Sequence, residues 1–203
     1  MRLCFFKSIC AGFEGTLYAE GHPGAFGLGL KAEDIEGICA WAKENAIDLA
    51  VIGPEVPLAM GIVDALEAEG VKTFGPNKKC AQLEASKAFT KSFLARHNIP
   101  TAAYEKFTDS AAAIEYVKAQ DSYPTVIKAS GLALGKGVII AQDFEEAKEA
   151  IIEMLDGGKF GESGKEIVIE EFLTGPEVSV LAFTDGKCVR PMISSKDHKR
   201  AFD

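Results

Sequence analysis

Between residues 34 and 76, stretches with the period of a helix alternate with short stretches typical of strands. Apolar residues at 35, 38, 39 and 42 are spaced as on one face of a helix, whereas 49–52 is a continuous apolar run that stops at Gly53-Pro54. A second helical stripe begins near Pro57 and uses positions 58, 62, 65 and 66, and 71–74 is another short strand that stops at Gly75-Pro76. The sequence therefore predicts a βαβ unit, whose strands lie parallel in a buried sheet.

Beyond residue 86 the pattern predicts a second set of helices and strands. A helix over 86–97 ends before Pro100, because a residue that precedes proline avoids the helical region. Asp143 and Glu146 have the spacing of a capping box, which predicts the start of another helix. Strands are predicted at 125–128, 138–141, 167–170, 178–183 and 188–193, with a hairpin at Asp185-Gly186 between the last two.

The break before Pro100 divides the chain into two predicted domains, 1–99 and 100–203. Residues 1–31 are rich in glycine and phenylalanine and have no sustained period, so the pattern predicts no element there. In parallel sheets, ligands bind beyond the carboxyl ends of the strands. Gly53-Pro54-Glu55 follows such an end and is therefore a candidate for contact with a ligand.

Composition narrows the classes of function. Hydrophobic residues make up 47% of the chain, so a packed core is expected, and the net charge of −8 disfavours nucleic acid as a partner. The five cysteines form no C-x-x-C pair, from which we expect free, mostly buried thiols in a reducing cytoplasm. No apolar run approaches the roughly 20 residues of a membrane span, so no association with a membrane is expected.

The most informative stretch is 126–138, where a glycine-rich loop over 130–137 joins two apolar runs. Glycines let backbone N–H groups approach phosphate oxygens, because no Cβ stands in the way. Lys128 at the end of the strand and Lys136 in the loop add positive charge, so the loop is a candidate phosphate site. It is not a Walker A loop, because its glycines lie one residue too close together and a strand follows. Taken alone, the pattern fits a plain β-hairpin turn equally well.

A second candidate stretch begins where the apolar run at 167–169 ends in two acids. The backbone there can hydrogen-bond an adenine edge, while Phe172 and Leu173 can wall the ring and Glu177 can accept from ribose hydroxyls. The alternative is an edge strand with solvated acids, since most glutamates are exposed.

A third candidate stretch, 194–200, carries charges of both signs just after a predicted strand. Such a cluster can hold a phosphorylated, amine-bearing substrate, and the alternative is an exposed charged loop. His198 has no neighbouring cysteine or second histidine, so it is not assigned as a metal ligand or a base.

Taken together and in order, these stretches resemble the phosphoribosylamine–glycine ligase family. The resemblance extends over about 48–203 and rests on the blocks at 51–58, 74–76, 82–91, 99–102, 128–137, 170–175 and 197–200. It implies an α/β fold, in which a partial Rossmann-like, pre-ATP-grasp N-terminal domain precedes an incomplete ATP-grasp α+β domain.

The resemblance also implies roles for individual residues, and no residue is assigned as a catalytic acid or base. The implied ATP-binding residues are Lys87, Lys128, Ser130, Gly131, Gly135, Lys136, Gly137, Glu170, Phe172, Leu173 and Glu177. The implied substrate-binding residues are Gly53, Pro54, Glu55, Asp197, Lys199 and Arg200. Magnesium ligands are expected beyond Asp203.

The implied reaction joins glycine to 5-phosphoribosylamine with ATP and Mg²⁺, and gives glycinamide ribonucleotide, ADP and phosphate in de novo purine biosynthesis. The family's G-x-G-G-R-E-H-A turn is missing from 1–29, and the family continues past Asp203. We therefore expect a cytoplasmic fragment, truncated at both ends and inactive or impaired alone; its oligomeric state is open, and a monomer is compatible with the sequence. The alternatives are another ATP-grasp carboxylate–amine ligase or carboxylase, or a non-catalytic nucleotide-binding module.

Overall fold

The structure, a computed structural model, describes residues 3–9, 13–20, 26–27, 30–133 and 137–196, and over 3–27 it describes the backbone alone. The chain divides into two compact units, Met1–Glu171 and Phe172–Asp203. The first unit contains a five-stranded and a four-stranded sheet.

The five-stranded sheet is mixed rather than wholly parallel. Its strands are β1 (Leu3–Ile9), β2 (Phe13–Glu20), β3 (Phe26–Gly27), β4 (Leu49–Ile52) and β5 (Lys72–Phe74), in the order β3-β2-β1-β4-β5. Strand β4 pairs in parallel with β1 and β5, which confirms the predicted βαβ unit. Strands β2 and β3 are antiparallel to their neighbours and lie in the segment where the pattern predicted no element.

The helices between residues 30 and 100 are α1 (Ile35–Glu44), α2 (Glu55–Met60), α3 (Ile62–Ala68), α4 (Lys78–Ala85) and α5 (Lys87–Arg96), of which α5 contacts β9 of the four-stranded sheet. The single helix predicted after Pro57 is wrong, because the chain breaks between α2 and α3 at Gly61, whose φ is 102°. This left-handed conformation favours glycine and interrupts helical hydrogen bonding. Ile38, Ile62 and Leu66 are almost completely buried in the core beside the sheet.

The four-stranded sheet is antiparallel and has the order β6-β9-β7-β8. Its strands are β6 (Tyr104–Phe107), β7 (Thr125–Ala129), β8 (Val138–Ala141) and β9 (Ile167–Glu171), and its helices are α6 (Ser110–Gln120) and α7 (Phe144–Leu155). Strands β7 and β8 form the predicted hairpin around the glycine-rich loop. The alternative reading of β9 as an edge strand is wrong, because β9 lies between β6 and β7.

The second unit contains four short strands, β10 (Val178–Ser179), β11 (Ala182–Thr184), β12 (Val189–Pro191) and β13 (Ser195–Lys196). The predicted hairpin at Asp185-Gly186 is confirmed, because β11 pairs antiparallel with β12 across it. The Asp185 carboxylate accepts from the backbone N–H groups of Lys187 and Cys188 at 2.9 and 2.8 Å, and these bonds lower the pKa of Asp185. The predicted strand at 178–183 is divided into β10 and β11, which pair with different strands, and the predicted strand at 188–193 is shortened to β12.

Two expectations from composition can be compared with the structure. Within the residues that the structure describes, no helix is both long and apolar enough to cross a membrane. The described cysteines, Cys39, Cys80 and Cys188, are free, but only Cys39 is buried. The expectation of mostly buried thiols is therefore wrong for the described part of the chain.

The N-terminus of α7 tests the capping interpretation. The Asp143 carboxylate accepts from Glu146 N at 2.9 Å, and the Glu146 carboxylate accepts from Gln142 N at 2.8 Å. We expect Asp143→Ala to lower the free energy of unfolding by about 1 kcal/mol, because a helix N–H loses its acceptor. Urea unfolding measures the change, and Asp143→Asn, which keeps an acceptor oxygen, should remain close to the parent. Equal losses in both variants would contradict the capping role.

Candidate functional site

A cavity of about 390 Å³ lies where α5 meets the four-stranded sheet, and three lysines and two glutamates line it. The residues that line it are Leu83, Glu84, Lys87, Thr90, Lys91, Leu94, Thr101, Lys128 and Glu170. Lys87 begins α5 and Lys128 lies near the end of β7, so two elements distant in sequence bring their ammonium groups to one space. The lining charges sum to +1, which favours an anionic ligand.

The Lys87 ammonium donates to the carbonyl of Gly131 at 3.2 Å, at the stem of the glycine-rich loop. Burial lowers the pKa of Lys87; Glu84 opposes this shift, the nearby Lys128 adds to it, and Glu170 also opposes it. The depressed pKa means that the surroundings solvate the charged form of Lys87 less well than water does. A bound anion would supply the missing stabilisation.

Glu170 places its carboxylate between two lysines. Its Oε2 atom lies 3.1 Å from Lys91 Nζ and 3.0 Å from Lys128 Nζ, and the Glu170 side chain is only 7% exposed. Glu170 lines the cavity where α5 meets the sheet, whereas its neighbour in β9, Glu171, is exposed. A buried carboxylate is stable only when charges and hydrogen bonds compensate the loss of water.

Lys91 is a functional candidate that the sequence interpretation missed. Its ammonium contacts Glu170, donates to Thr101 Oγ1 at 2.8 Å and to the Ala102 carbonyl at 3.2 Å, and its side chain is 9% exposed. The available signal was its spacing from Lys87, because residues four apart share one face of a helix. The buried residues of this helix are Ala88 and Lys91.

The stem of the glycine-rich loop is attached to α5. The Ser130 carbonyl accepts from Lys87 N at 2.8 Å, and the Ser130 hydroxyl accepts from Ala88 N at 3.2 Å. Ser130 is buried and does not line the cavity. Its hydroxyl and carbonyl therefore satisfy N–H groups of the first helical turn, which otherwise have no partner within the helix.

A short 3-10 helix, Gly161–Gly164, holds the other side of the stem. Gly131 N donates to the Ser163 carbonyl at 3.1 Å, and the Ser163 hydroxyl donates to the Leu132 carbonyl at 2.7 Å. A Cβ at Gly131 would lie 2.7 Å from Ser163 Cα, so only glycine allows this close approach. Glycine thus serves close packing at this position, in addition to any role in phosphate contact.

The other predicted loop residues divide into two groups. Gly137 lies at the return of the hairpin, where its carbonyl accepts from Ala129 N at 2.8 Å. Gly135 and Lys136 lie outside the described residues, so their predicted contact with phosphate stays a prediction.

Gly53, Pro54 and Glu55 are not among the residues that line the cavity. Gly53-Pro54-Glu55 directly follows β4 and leads into α2, as the strand-end interpretation requires. Phe172, Leu173 and Glu177 belong to the second unit, and their predicted contact with adenosine stays a prediction. Asp197, Lys199 and Arg200 lie outside the described residues.

A magnesium site is not available among the described side chains. Within 30–133 and 137–196, no group of three or more His, Cys, Asp or Glu residues has an arrangement that could hold a metal ion. The described residues therefore do not fit a resident metal by themselves.

The sequence matches two family models of one enzyme. The N domain of phosphoribosylglycinamide synthetase matches residues 11–84, and its ATP-grasp (A) domain matches residues 85–203. The phosphoribosylamine–glycine ligase of Vibrio vulnificus (strain YJ016) is 56% identical over 176 residues, which are 87% of this chain and 41% of that protein. The chain thus spans about two-fifths of the length of such relatives.

Solved structures agree with the family models. The crystal structure of phosphoribosylamine–glycine ligase from Thermotoga maritima matches with a TM-score of 0.65 at 34% identity, over 74% of this chain and 36% of that one. Biotin carboxylase from Campylobacter jejuni, in complex with β-γ-ATP, matches with a TM-score of 0.65 at 18% identity, over 78% and 36% of the two chains. The second likeness shows the fold alone.

The predicted α/β fold with its ATP-grasp part is thereby confirmed. Because the two family models together match nearly the whole sequence, this chain belongs to the phosphoribosylglycinamide synthetase family, the phosphoribosylamine–glycine ligases.

Proposed function

We propose that this chain binds the triphosphate of ATP in the cavity between Lys87 and Lys128. We further propose that it serves the ligation of glycine to 5-phosphoribosylamine, which gives glycinamide ribonucleotide, ADP and phosphate in de novo purine biosynthesis. The main support for the proposal is that two lysines from separate elements line one cavity. In the lining of this cavity, lysines outnumber carboxylates. Membership of a ligase family whose A domain is ATP-grasp supports the proposal.

Electrostatics explains why a polyphosphate suits this cavity. Lys87 is half-buried and Lys128 has 27% of its side chain exposed, so both charges act in a medium less screening than water. Burial lowers the pKa of Lys87 in the unliganded protein, and repulsion from Lys128 adds to this shift. A triphosphate replaces this repulsion with attraction to both ammonium groups, and neutral or cationic ligands do not.

The proposed chemistry needs little proton transfer by side chains. A carboxylate oxygen of glycine attacks the γ-phosphorus of ATP, the bond to the β-phosphate oxygen breaks, and ADP leaves. The amine of phosphoribosylamine then attacks the acyl carbon, phosphate leaves, and the nitrogen releases a proton. Lysines that contact the phosphates neutralise the charge of the transferring group and hold it in line.

Several finer assignments belong to the same proposal. Phe172, Leu173 and Glu177 would contact adenosine, and Gly53-Pro54-Glu55 with Asp197, Lys199 and Arg200 would contact the substrates.

Magnesium stays a prediction from the resemblance, and none of the proposed steps uses it, because the described residues do not fit a metal. A cytoplasmic location is also proposed, and the three free described thiols support a reducing compartment. The division into domains 1–99 and 100–203 stays a prediction.

Of the predictions that follow from the proposed function, the first concerns affinity for ATP. We expect the chain to bind ATP, and we expect Lys128→Ala to raise the dissociation constant about 10- to 100-fold, because one charge-assisted contact to phosphate is worth roughly 1.5–3 kcal/mol. Isothermal titration calorimetry measures both constants. Lys148→Ala is the matched control, since that lysine lies on α7 away from the cavity lining, has 42% of its side chain exposed and pairs only loosely, at 3.5 Å, with Glu145. Equal affinities for the parent and Lys128→Ala would refute a phosphate role for Lys128.

The second prediction concerns pH. The bound triphosphate favours protonated Lys87, whose pKa is depressed in the unliganded chain, so affinity should fall as the pH rises through that depressed value, below the ordinary value of about 10.4. In the same window the unfolded chain binds more protons than the folded chain, so unliganded stability should rise with pH. Lys87→Arg stays charged throughout and should flatten the decline in affinity. Parallel pH profiles of the parent and Lys87→Arg would exclude Lys87 as the titrating group.

The third prediction concerns the reaction. A chimera places the matched segment of this chain in the Vibrio vulnificus ligase, which is 56% identical to it. We expect the chimera to form glycinamide ribonucleotide from glycine, phosphoribosylamine and ATP. Lys128→Ala in the chimera should lower kcat/KM by about 10²–10³-fold, as loss of one preorganised electrostatic contact does. An active chimera that tolerates Lys128→Ala would argue against the proposed role, and Lys148→Ala again serves as control.

A further inference from the structure

Lys91 is a buried cation that the proposed chemistry leaves without a role. Its ammonium donates hydrogen bonds to Thr101 Oγ1 at 2.8 Å and to the Ala102 carbonyl at 3.2 Å, and it forms an ion pair with Glu170 Oε2 at 3.1 Å. It also lies 5.4 Å from the centre of the Tyr104 ring. Two of its three N–H donors are therefore used by neutral acceptors, and its charge lies against the Glu170 carboxylate. Lys91 lines the cavity with only 9% of its side chain exposed.

The neighbouring charges show what Lys91 changes. Glu170 and Lys128 alone would form a neutral pair at 3.0 Å. The negative charge of the carboxylate would then cancel most of the attraction of Lys128 for an anionic ligand. Lys91 approaches the same oxygen atom at almost the same distance, 3.1 Å. The cluster of three therefore has a net charge of +1, and the carboxylate has a second counter-ion.

We propose that Lys91 is a positioning residue. It compensates the negative charge of Glu170, so that the positive charge of Lys128 stays available to the phosphates of the nucleotide. This inference rests on the proposed function and adds to it how the phosphate-binding lysine is kept available. Lys91 acts through Glu170 and not by touching the ligand. Its contacts with Thr101 and Ala102 fix the direction from which it reaches the carboxylate.

A double-mutant cycle tests the indirect action, with ATP and inorganic tripolyphosphate as probes in calorimetry. In the parent background, Lys91→Met should weaken binding of both probes about tenfold, in the range of couplings within one charge network. With Glu170→Gln already present, no anion remains for Lys91 to neutralise. Adding Lys91→Met there should change either affinity by less than about threefold.

Thermal unfolding of each variant separates binding from stability, because a purely structural lysine would change Tm without this pattern in affinity. Lys106→Met is the matched control: that lysine is exposed, donates to Ser92 at 3.1 Å and should leave binding unchanged. If Lys91→Met does not fold, the affinities of Glu170→Gln and of the double variant are compared. A large loss of affinity in the double variant relative to Glu170→Gln overturns the proposal.

The outcomes distinguish this inference from the proposed function. A parent chain that binds neither probe defeats the proposed function and the inference with it. A parent chain that binds both probes, combined with equal effects of Lys91→Met in both Glu170 backgrounds, overturns the inference alone. Tripolyphosphate reports the phosphate contacts without adenosine, so an effect on ATP only would also overturn it.

Discussion

The carboxylate of Glu170 is the charge on which the rest of the site depends. It lies on an interior strand with 7% of its side chain exposed, where water cannot solvate it. Its burial is possible because Lys91 from α5 and Lys128 from β7 both reach Oε2. Removing one partner of a buried ion pair typically costs about 3–5 kcal/mol, because the remaining charge is left uncompensated, so the two lysines and the carboxylate depend on one another. All three line the cavity.

The second constraint is the connection between α5 and the glycine-rich loop. Ser130 satisfies N–H groups at the start of the helix, and Lys87 donates to the Gly131 carbonyl. Ser163 contacts the same stem from the opposite side, in the space that a Cβ on Gly131 would need. The stem is thereby held by contacts on two sides, and one lysine of the cavity is held with it. Such preorganisation means that the charges are already in place before a ligand arrives.

Local chemistry explains which parts of the fold could be predicted. The helices α1 and α7 have an amphipathic period and an aspartate that accepts from the first turn, and the β7-β8 hairpin has its glycine loop. The break at Gly61 was missed because an apolar stripe continues across it, and the left-handed backbone there has no signature beyond one glycine. Lys91 was missed because a lysine on a helix reads as exposed until its partners are known.

The sequence by itself determined the family and the order of most elements, and it indicated two lysines and a glycine loop as candidates for phosphate binding. These features depend on neighbours in the chain, whose spacing is visible in one dimension. Only the tertiary structure decided that β9 is interior, that Glu170 is buried and that Lys91 shares its oxygen with Lys128. The physical reason is that the solvation of a charge depends on residues 40 or more positions away, which no local pattern records.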